Sequence, residues 1–80
     1  MKSQKIRKVF GVVVSKLRKE NKLSQEELST RSKVSRPHLS CIESGKTHPT
    51  LVTIYQLSKS LNIDPNKLLY LVDNILKKTN

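Results

Sequence analysis

The sequence of 80 residues predicts an all-α fold, a compact domain of five helices. Apolar residues recur at intervals of three and four along most of the chain, which is the spacing of amphipathic helices. Capping residues and prolines stand where these apolar stripes begin. With 2 glycines and 3 prolines, the chain is also poor in the residues that a turn-rich β domain requires. We therefore expect one domain over residues 1–80 with a single modest core.

The first two helices are predicted by an apolar stripe and by a capping box. The stripe indicates a first helix over about residues 5–20. Ser24 and Glu27 are spaced as a capping box, in which the serine hydroxyl accepts the N–H of residue 27 and the glutamate accepts the N–H of residue 24. The second helix should therefore begin at Gln25 and end near Ser32. The stripe of the first helix consists of Ile6, Phe10, Val13, Val14 and Leu17.

A short third helix is predicted between Ser35 and Gly45. Ser35 is a good N-cap, and Pro37 falls in the first turn, where its missing N–H costs nothing. Leu39 and Ile42 supply a buried side. Gly45 follows as the left-handed residue that commonly ends a helix.

Two further helices complete the predicted chain. Thr50 caps a fourth, and Asp64-Pro65 is a strong start signal for a fifth over about residues 65–78. The apolar residues of the fifth helix cover more than one face, so they either close the core of the monomer or form a two-fold interface. The surplus of apolar residues on the fifth helix favours dimerisation. The expected interface residues are Leu68, Leu71, Val72 and Ile75.

The net charge of the chain indicates which kinds of partner it binds. Sixteen Lys and Arg against six Asp and Glu give a net charge of +10. Such a protein is expected to bind a polyanion, with nucleic acid first and an anionic membrane surface second. No apolar run approaches the length that crosses a bilayer, and no signal peptide is evident, so we expect a cytoplasmic protein. A single cysteine excludes an internal disulfide framework and suits a reducing compartment.

The second and third helices are both short, and only residues 33–35 separate them. Two helices joined this tightly cross steeply, as in a helix-turn-helix. The amino-terminal half of the later helix then protrudes and can enter a major groove about 12 Å wide.

Several ordered segments extend this pattern along the chain. They are Leu23–Leu28, Val34–Arg36, Ile42–Lys46 and Pro49–Leu51, followed by Leu57, Leu61 and Leu69. Together they resemble the Cro and phage-repressor type (XRE-like) of helix-turn-helix regulator. The resemblance covers about residues 10–69, and it implies a lambda-repressor-like fold that binds double-stranded DNA as a homodimer on a palindromic operator. A compact domain with one additional C-terminal helix looks most like the controller proteins of restriction–modification systems.

The resemblance also implies a role for particular residues. Arg36 at the start of the third helix is best suited to base reading, because a guanidinium bonds both major-groove acceptors of guanine. Pro37 could press against a thymine methyl, and Ser40 could bond almost any base. The base-reading positions are Arg36, Pro37, Ser40 and Cys41, and the DNA-backbone positions are Gln25, His38, Ser44, Lys46, His48 and Thr50.

Three more positions follow from the resemblance. Arg18 and Glu43 match a pair that ties the first helix to the end of the recognition helix, and we expect a partly buried ion pair whose main value is orientation. Lys33 stands where the family usually has glycine, so a left-handed backbone is expected there at a cost of about 1 kcal/mol.

Simpler interpretations remain for several of these residues. Gln25 could be only a polar first-turn residue. Cys41 is expected to be a small side chain that fits the groove, and a redox sensor is the alternative. His38, Cys41 and His48 fall short of the four ligands of a structural zinc, so no metal is expected. No serine has the neighbours of a nucleophile. We therefore expect no enzyme, no cofactor and no small-molecule ligand.

Three functions are consistent with the sequence. The first is a homodimeric, sequence-specific DNA-binding regulator. The second is an antitoxin-type regulator that also binds a toxin. The third is a nonspecific polyanion or membrane-surface binder that uses the basic first helix, but it leaves the later capped helices unexplained.

Overall fold

The structure, a computed structural model, describes residues 2–78, and these form five helices without a strand. Their number and order are as predicted, and the observed ends lie within two residues of the expected ones. None of the helices in this part of the chain is both long enough and apolar enough to cross a membrane. The helices are α1 (Ser3–Glu20), α2 (Gln25–Ser32), α3 (Arg36–Glu43), α4 (Leu51–Ser60) and α5 (Pro65–Lys78).

One apolar core joins all five helices. α1 packs on α3 and α5, α2 packs on α3 and α4, and α4 packs on α5. The stripes predicted from the sequence supply most of the core, and each fully buried Leu, Ile or Phe contributes about 1.5–3 kcal/mol of burial free energy. The buried apolar residues are Phe10, Val13, Val14, Leu23, Leu28, Val34, Leu39, Ile42, Leu57, Leu61, Leu68 and Val72.

Three of the helices end in the same left-handed turn. Lys22, Gly45 and Asn62 have φ angles of 58°, 77° and 54°, and each follows the last residues of α1, α3 or α4. In each case the left-handed N–H and the next N–H bond back to carbonyls inside the helix. This is the Schellman motif. The prediction at Gly45 is confirmed, and the same turn is also formed by a lysine and an asparagine.

The turn between α2 and α3 is short and held by hydrogen bonds. Lys33 has φ 61° and ψ 23°, as predicted, and its N–H donates to the Ser29 carbonyl over 2.9 Å. The Ser29 hydroxyl donates to the carbonyl of Val34, and the N–H of Val34 donates to the Ser32 hydroxyl over 3.3 Å. These bonds fix the angle at which α3 leaves α2.

The helix α5 closes the core of the monomer. Leu68 is fully buried and Val72 is 5% exposed, because α5 lies against α1 and α4. The expectation that these two residues contact a second subunit is therefore corrected, since an enclosed side chain presents no surface to a partner. Leu71 and Ile75, the other two expected interface residues, are half-buried at the edge of the same core.

Candidate nucleic-acid interface

The helix α3 has one buried face and one open face. Leu39 and Ile42 are enclosed by the core. The four residues predicted to read bases lie on the other side, because positions separated by three or four residues share a helix face. Arg36, Pro37 and Ser40 are exposed, and Cys41 is half-buried. The structure thus brings these four residues together on one continuous surface.

The amino-terminal end of α3 is capped and lies at the surface. The Ser35 hydroxyl accepts the N–H of His38 over 3.3 Å, and Pro37 stands in the first turn. Arg36 has no ion-pair partner among residues 2–78. Its guanidinium therefore remains available to an external acceptor.

The start of α2 has the predicted capping box. The N–H of Glu27 donates to the Ser24 hydroxyl over 3.0 Å, and the N–H of Ser24 donates to the Glu27 carboxylate over 2.9 Å. The hydrogen bond from the Ser24 N–H is the main reason that the pKa of Glu27 lies below its ordinary value. The cap fixes where α2 begins, and with it the position of Gln25.

The carboxyl end of α3 is tied to α1 by the predicted ion pair. The Arg18 guanidinium donates to both oxygens of Glu43, over 2.7 Å from Nε and 3.0 Å from Nη2. The two side chains are 12% and 7% exposed. The hydrogen bond to Glu43 raises the pKa of Arg18 above its ordinary value, against the effect of burial. Arg18 also donates to the carbonyl of Leu23 over 2.9 Å, so one side chain joins three segments.

Gln25 belongs to the same network. Its Nε2 donates to Glu43 Oε1 over 3.1 Å, which connects the start of α2 to the end of α3. One amide N–H is thereby occupied, whereas the second N–H and the amide oxygen are left for a ligand. This contact depends on how α2 and α3 cross, and no signal in the sequence indicates it.

A close approach of two backbones at Gly11 also escaped sequence analysis. A Cβ atom at Gly11 would lie 2.4 Å from the carbonyl oxygen of Ile42 and 2.5 Å from that of Glu43. The helix α1 therefore rests directly on the last turn of α3. A glycine in the middle of a helical stripe is a signal of such packing, because it is otherwise unfavourable there.

The predicted backbone-contacting residues of the α3–α4 connection lie within residues 44–50. The Ser44 hydroxyl donates to the Cys41 carbonyl over 3.2 Å, and the Thr50 hydroxyl caps α4 by accepting the N–H of Thr53 over 3.1 Å. Lys46 is exposed. His38 and Gln25 stand apart from this loop, on α3 and α2.

Arg7 of α1 was not among the residues predicted for the site. Its Nε donates to the Gly45 carbonyl over 3.3 Å, and its Nη1 lies 3.1 Å from Nε2 of His48. A basic residue near the start of a helix carries no sequence signal of a contact 41 positions away.

Other expected site features are placed as follows. Within residues 2–78 no three His, Cys, Asp or Glu side chains are grouped to hold a metal ion. Tyr55 and Tyr70 are 55% and 58% exposed.

A comparison with protein families agrees with this geometry. The family model described as helix-turn-helix matches residues 14–68. The chain belongs to the helix-turn-helix family. The predicted resemblance to Cro and phage-repressor regulators is thus confirmed, and the chain is a transcriptional regulator with a helix-turn-helix DNA-binding fold.

Relatives of this regulator carry the same description. The HTH-type transcriptional regulator y4dJ of Sinorhizobium fredii is 40% identical over 58 residues, which cover 72% of this chain and 75% of the relative. The crystal structure of the restriction–modification controller protein C.AhdI from Aeromonas hydrophila superposes with a TM-score of 0.74 at 34% identity, covering 76% of this chain and 92% of that one. A variant of the restriction–modification controller protein C.Esp1396I superposes with a TM-score of 0.85 at 25% identity over all of both chains.

Proposed function

We propose that this regulator binds a palindromic operator as a homodimer, with α3 of each subunit in one major groove. The observation that carries the proposal is the open face of α3, on a helix whose other face and carboxyl end are fixed by the fold. The family is one of DNA-binding regulators and not a known class of enzyme, and we propose no catalytic activity. The antitoxin alternative gains no support from the relatives described above.

The four residues on the open face would read bases. Arg36 would contribute most to base discrimination, because a bidentate contact with guanine disfavours the wrong base by about 1–3 kcal/mol. Ser40 can donate to or accept from either neighbouring base, and Pro37 offers an apolar surface to a thymine methyl. Cys41 is small and half-buried, so it permits close approach.

A second group would contact phosphates and set the register of α3 in the groove. Gln25 at the start of α2 would use its unoccupied amide N–H, and Lys46 would use its charge. The net charge of +10 favours the approach to DNA. A regulator of this kind would act in the cytoplasm. The proposed contacts are Gln25, His38, Ser44, Lys46, His48 and Thr50.

The homodimer would form through an exposed apolar face. Leu51, Val52 and Tyr55 share the outer side of α4 and are 68%, 65% and 55% exposed. Leu69 of the adjoining α5 is 45% exposed. Large apolar side chains grouped at a surface usually mark an interface, and a two-fold axis would cover the same patch on both subunits. The half-sites would then lie about 34 Å apart, or a multiple of this spacing.

The DNA-binding proposal is tested with a duplex selected from a randomised library and a scrambled duplex of equal length. The selected duplex should bind more tightly, with discrimination that persists as salt weakens both complexes. Arg36→Ala should lose about 1–3 kcal/mol of preference at one base position, whereas Lys46→Ala should weaken both duplexes alike. Equal affinities and equal salt slopes for the two duplexes would show a nonspecific polyanion binder instead.

The dimer is tested by sedimentation equilibrium. Val52→Glu should dissociate the dimer, because the carboxylate would be buried against its own symmetry mate. Val12→Glu is the matched control, since Val12 is 59% exposed on α1, in the groove that Leu71 and Ile75 also line. If Val12→Glu dissociates the dimer and Val52→Glu does not, the interface lies in the α1–α5 groove.

A further inference from the structure

Arg7 connects α1 to the loop between α3 and α4. Its guanidinium is half-buried and has three neighbours: the Gly45 carbonyl at 3.3 Å, the Ser3 hydroxyl at 3.2 Å and Nε2 of His48 at 3.1 Å. All three can accept a hydrogen bond from a guanidinium. Arg7 therefore acts as a donor to the loop and not as one half of an ion pair.

The backbone holds the loop in place against α1 at this point. Gly45 has a φ of 77°, and a Cβ atom there would lie 2.9 Å from Cα of Lys8. The loop thus packs directly against the helix turn that carries Arg7. This packing brings the loop that carries His48 close to Arg7.

The contact bears on which nitrogen of a neutral His48 ring would carry the proton. A guanidinium has five donors and no acceptor, so Nε2 of His48 must accept. The neutral imidazole then has its proton on Nδ1, since the tautomer follows from the bond that the other nitrogen makes. A free neutral imidazole side chain prefers the opposite tautomer, with the proton on Nε2. Arg7 therefore reverses the intrinsic preference of His48.

We propose that Arg7 is a positioning residue that holds His48 as the Nδ1–H tautomer, so that this N–H donates to a phosphate oxygen of bound DNA. The inference rests on the proposed function for its DNA contact, but the tautomer itself belongs to the free protein. His48 is exposed, and Nδ1 has no partner among the described residues. Without Arg7 the Nε2–H tautomer would regain its advantage, and the unprotonated Nδ1 could not donate to a phosphate oxygen.

The first experiment measures the tautomer without DNA. Imidazole ¹⁵N resonances are recorded at pH 8, where a free imidazole is neutral, and His48→Ala identifies which of the two histidines gives each signal. Wild type should show His48 protonated on Nδ1, and Arg7→Gln should shift it toward protonation on Nε2. Lys16→Gln, which removes the same charge from an exposed position of α1, should leave the tautomer unchanged. A wild-type ring protonated on Nε2, or an unchanged ring in Arg7→Gln, would overturn the proposal.

The second experiment is a double-mutant cycle in DNA binding. Arg7→Gln and His48→Ala should each weaken binding to the selected and scrambled duplexes by about tenfold to a hundredfold, the value of one hydrogen bond to a charged group. The double variant should bind more weakly than His48→Ala only by the loss that Lys16→Gln also causes, because removing one positive charge weakens any DNA complex and Arg7 otherwise acts through that ring. If the two losses multiply, Arg7 contacts DNA independently and the positioning role is wrong. A protein that prefers no duplex refutes the proposed function, yet the tautomer measurement still stands or falls separately.

Discussion

The two ends of α3 differ in what surrounds them. At the carboxyl end, Glu43 is paired with Arg18, and Gly11 of α1 lies against the last carbonyls. At the amino end, Arg36 and Pro37 are exposed and no other helix covers them. The side chains at the carboxyl end are therefore engaged by the fold, whereas those at the amino end are free to contact a ligand. A helix fixed at one end can vary its reading residues without losing its orientation.

This difference predicts where substitutions act. Changes at the anchored end should lower the free energy of unfolding, and changes at the open end should alter DNA binding at nearly constant stability. The following substitutions test that division in order of decreasing effect on stability.

Arg18→Met should have the largest effect. It leaves the Glu43 carboxylate buried without its partner, and the removal of one member of a buried pair typically costs about 3–5 kcal/mol. Urea denaturation followed by circular dichroism measures the loss. Lys19→Met is the control, because Lys19 is exposed on the same helix. A loss below about 1 kcal/mol would place this pair in the class of weak surface salt bridges.

Gly11→Ala should destabilise the fold by about 2–3 kcal/mol through overpacking, because the methyl group would meet two backbone carbonyls. The gain in helix propensity, about 1 kcal/mol, only partly offsets this. Val12→Ala, at the exposed neighbour, should change stability by less than about 0.5 kcal/mol. Thermal denaturation of the two variants measures these changes in stability. A Gly11→Ala protein as stable as wild type would mean that α1 can move away from α3.

Lys33→Gly should stabilise the protein by about 1 kcal/mol, because a side chain in the left-handed region is strained and glycine is not. The substitution lies just before the open end of α3, so the gain should appear in the denaturation midpoint without a change in base preference. Lys46→Gly is the control, since Lys46 is not among the left-handed residues. Equal effects of the two substitutions would contradict strain at Lys33.

Arg36→Ala should have the smallest effect on folding, within about 0.5 kcal/mol of wild type, as for an exposed side chain without partners. Its denaturation curve should overlay that of wild type while its operator preference declines. A loss of more than about 1.5 kcal/mol in stability would show that the amino end is also structural, and the contrast between the two ends would fail.

The helices themselves were predictable because their signals are local. Ser24, Ser35 and Thr50 each accept the N–H three residues ahead, as their positions indicated. The left-handed turn at Lys33 followed from the resemblance, which also supplied the pairing of Arg18 with Glu43. In these cases the relevant partner lies within a few residues or is fixed by a known arrangement of helices.

The contacts between helices were less predictable because periodicity shows that a stripe is covered without showing what covers it. Leu68 and Val72 were therefore assigned to a partner, although α1 and α4 of the same chain enclose them. The hydrogen bond from Gln25 to Glu43 and the contact of Arg7 with His48 depend on crossing angles in the same way. Crossing angles between helices arise from the packing of many side chains, so no fixed residue spacing in the sequence predicts them.

Cys41 gives the open face of α3 a built-in reporter. It is the single cysteine of the chain and is half-buried on the surface proposed to face the bases. An alkylating reagent would consequently modify one known position, at a rate that falls when a duplex occupies the groove-facing side. The native protein therefore supports a protection assay for the orientation of α3 on DNA, with no engineered thiol.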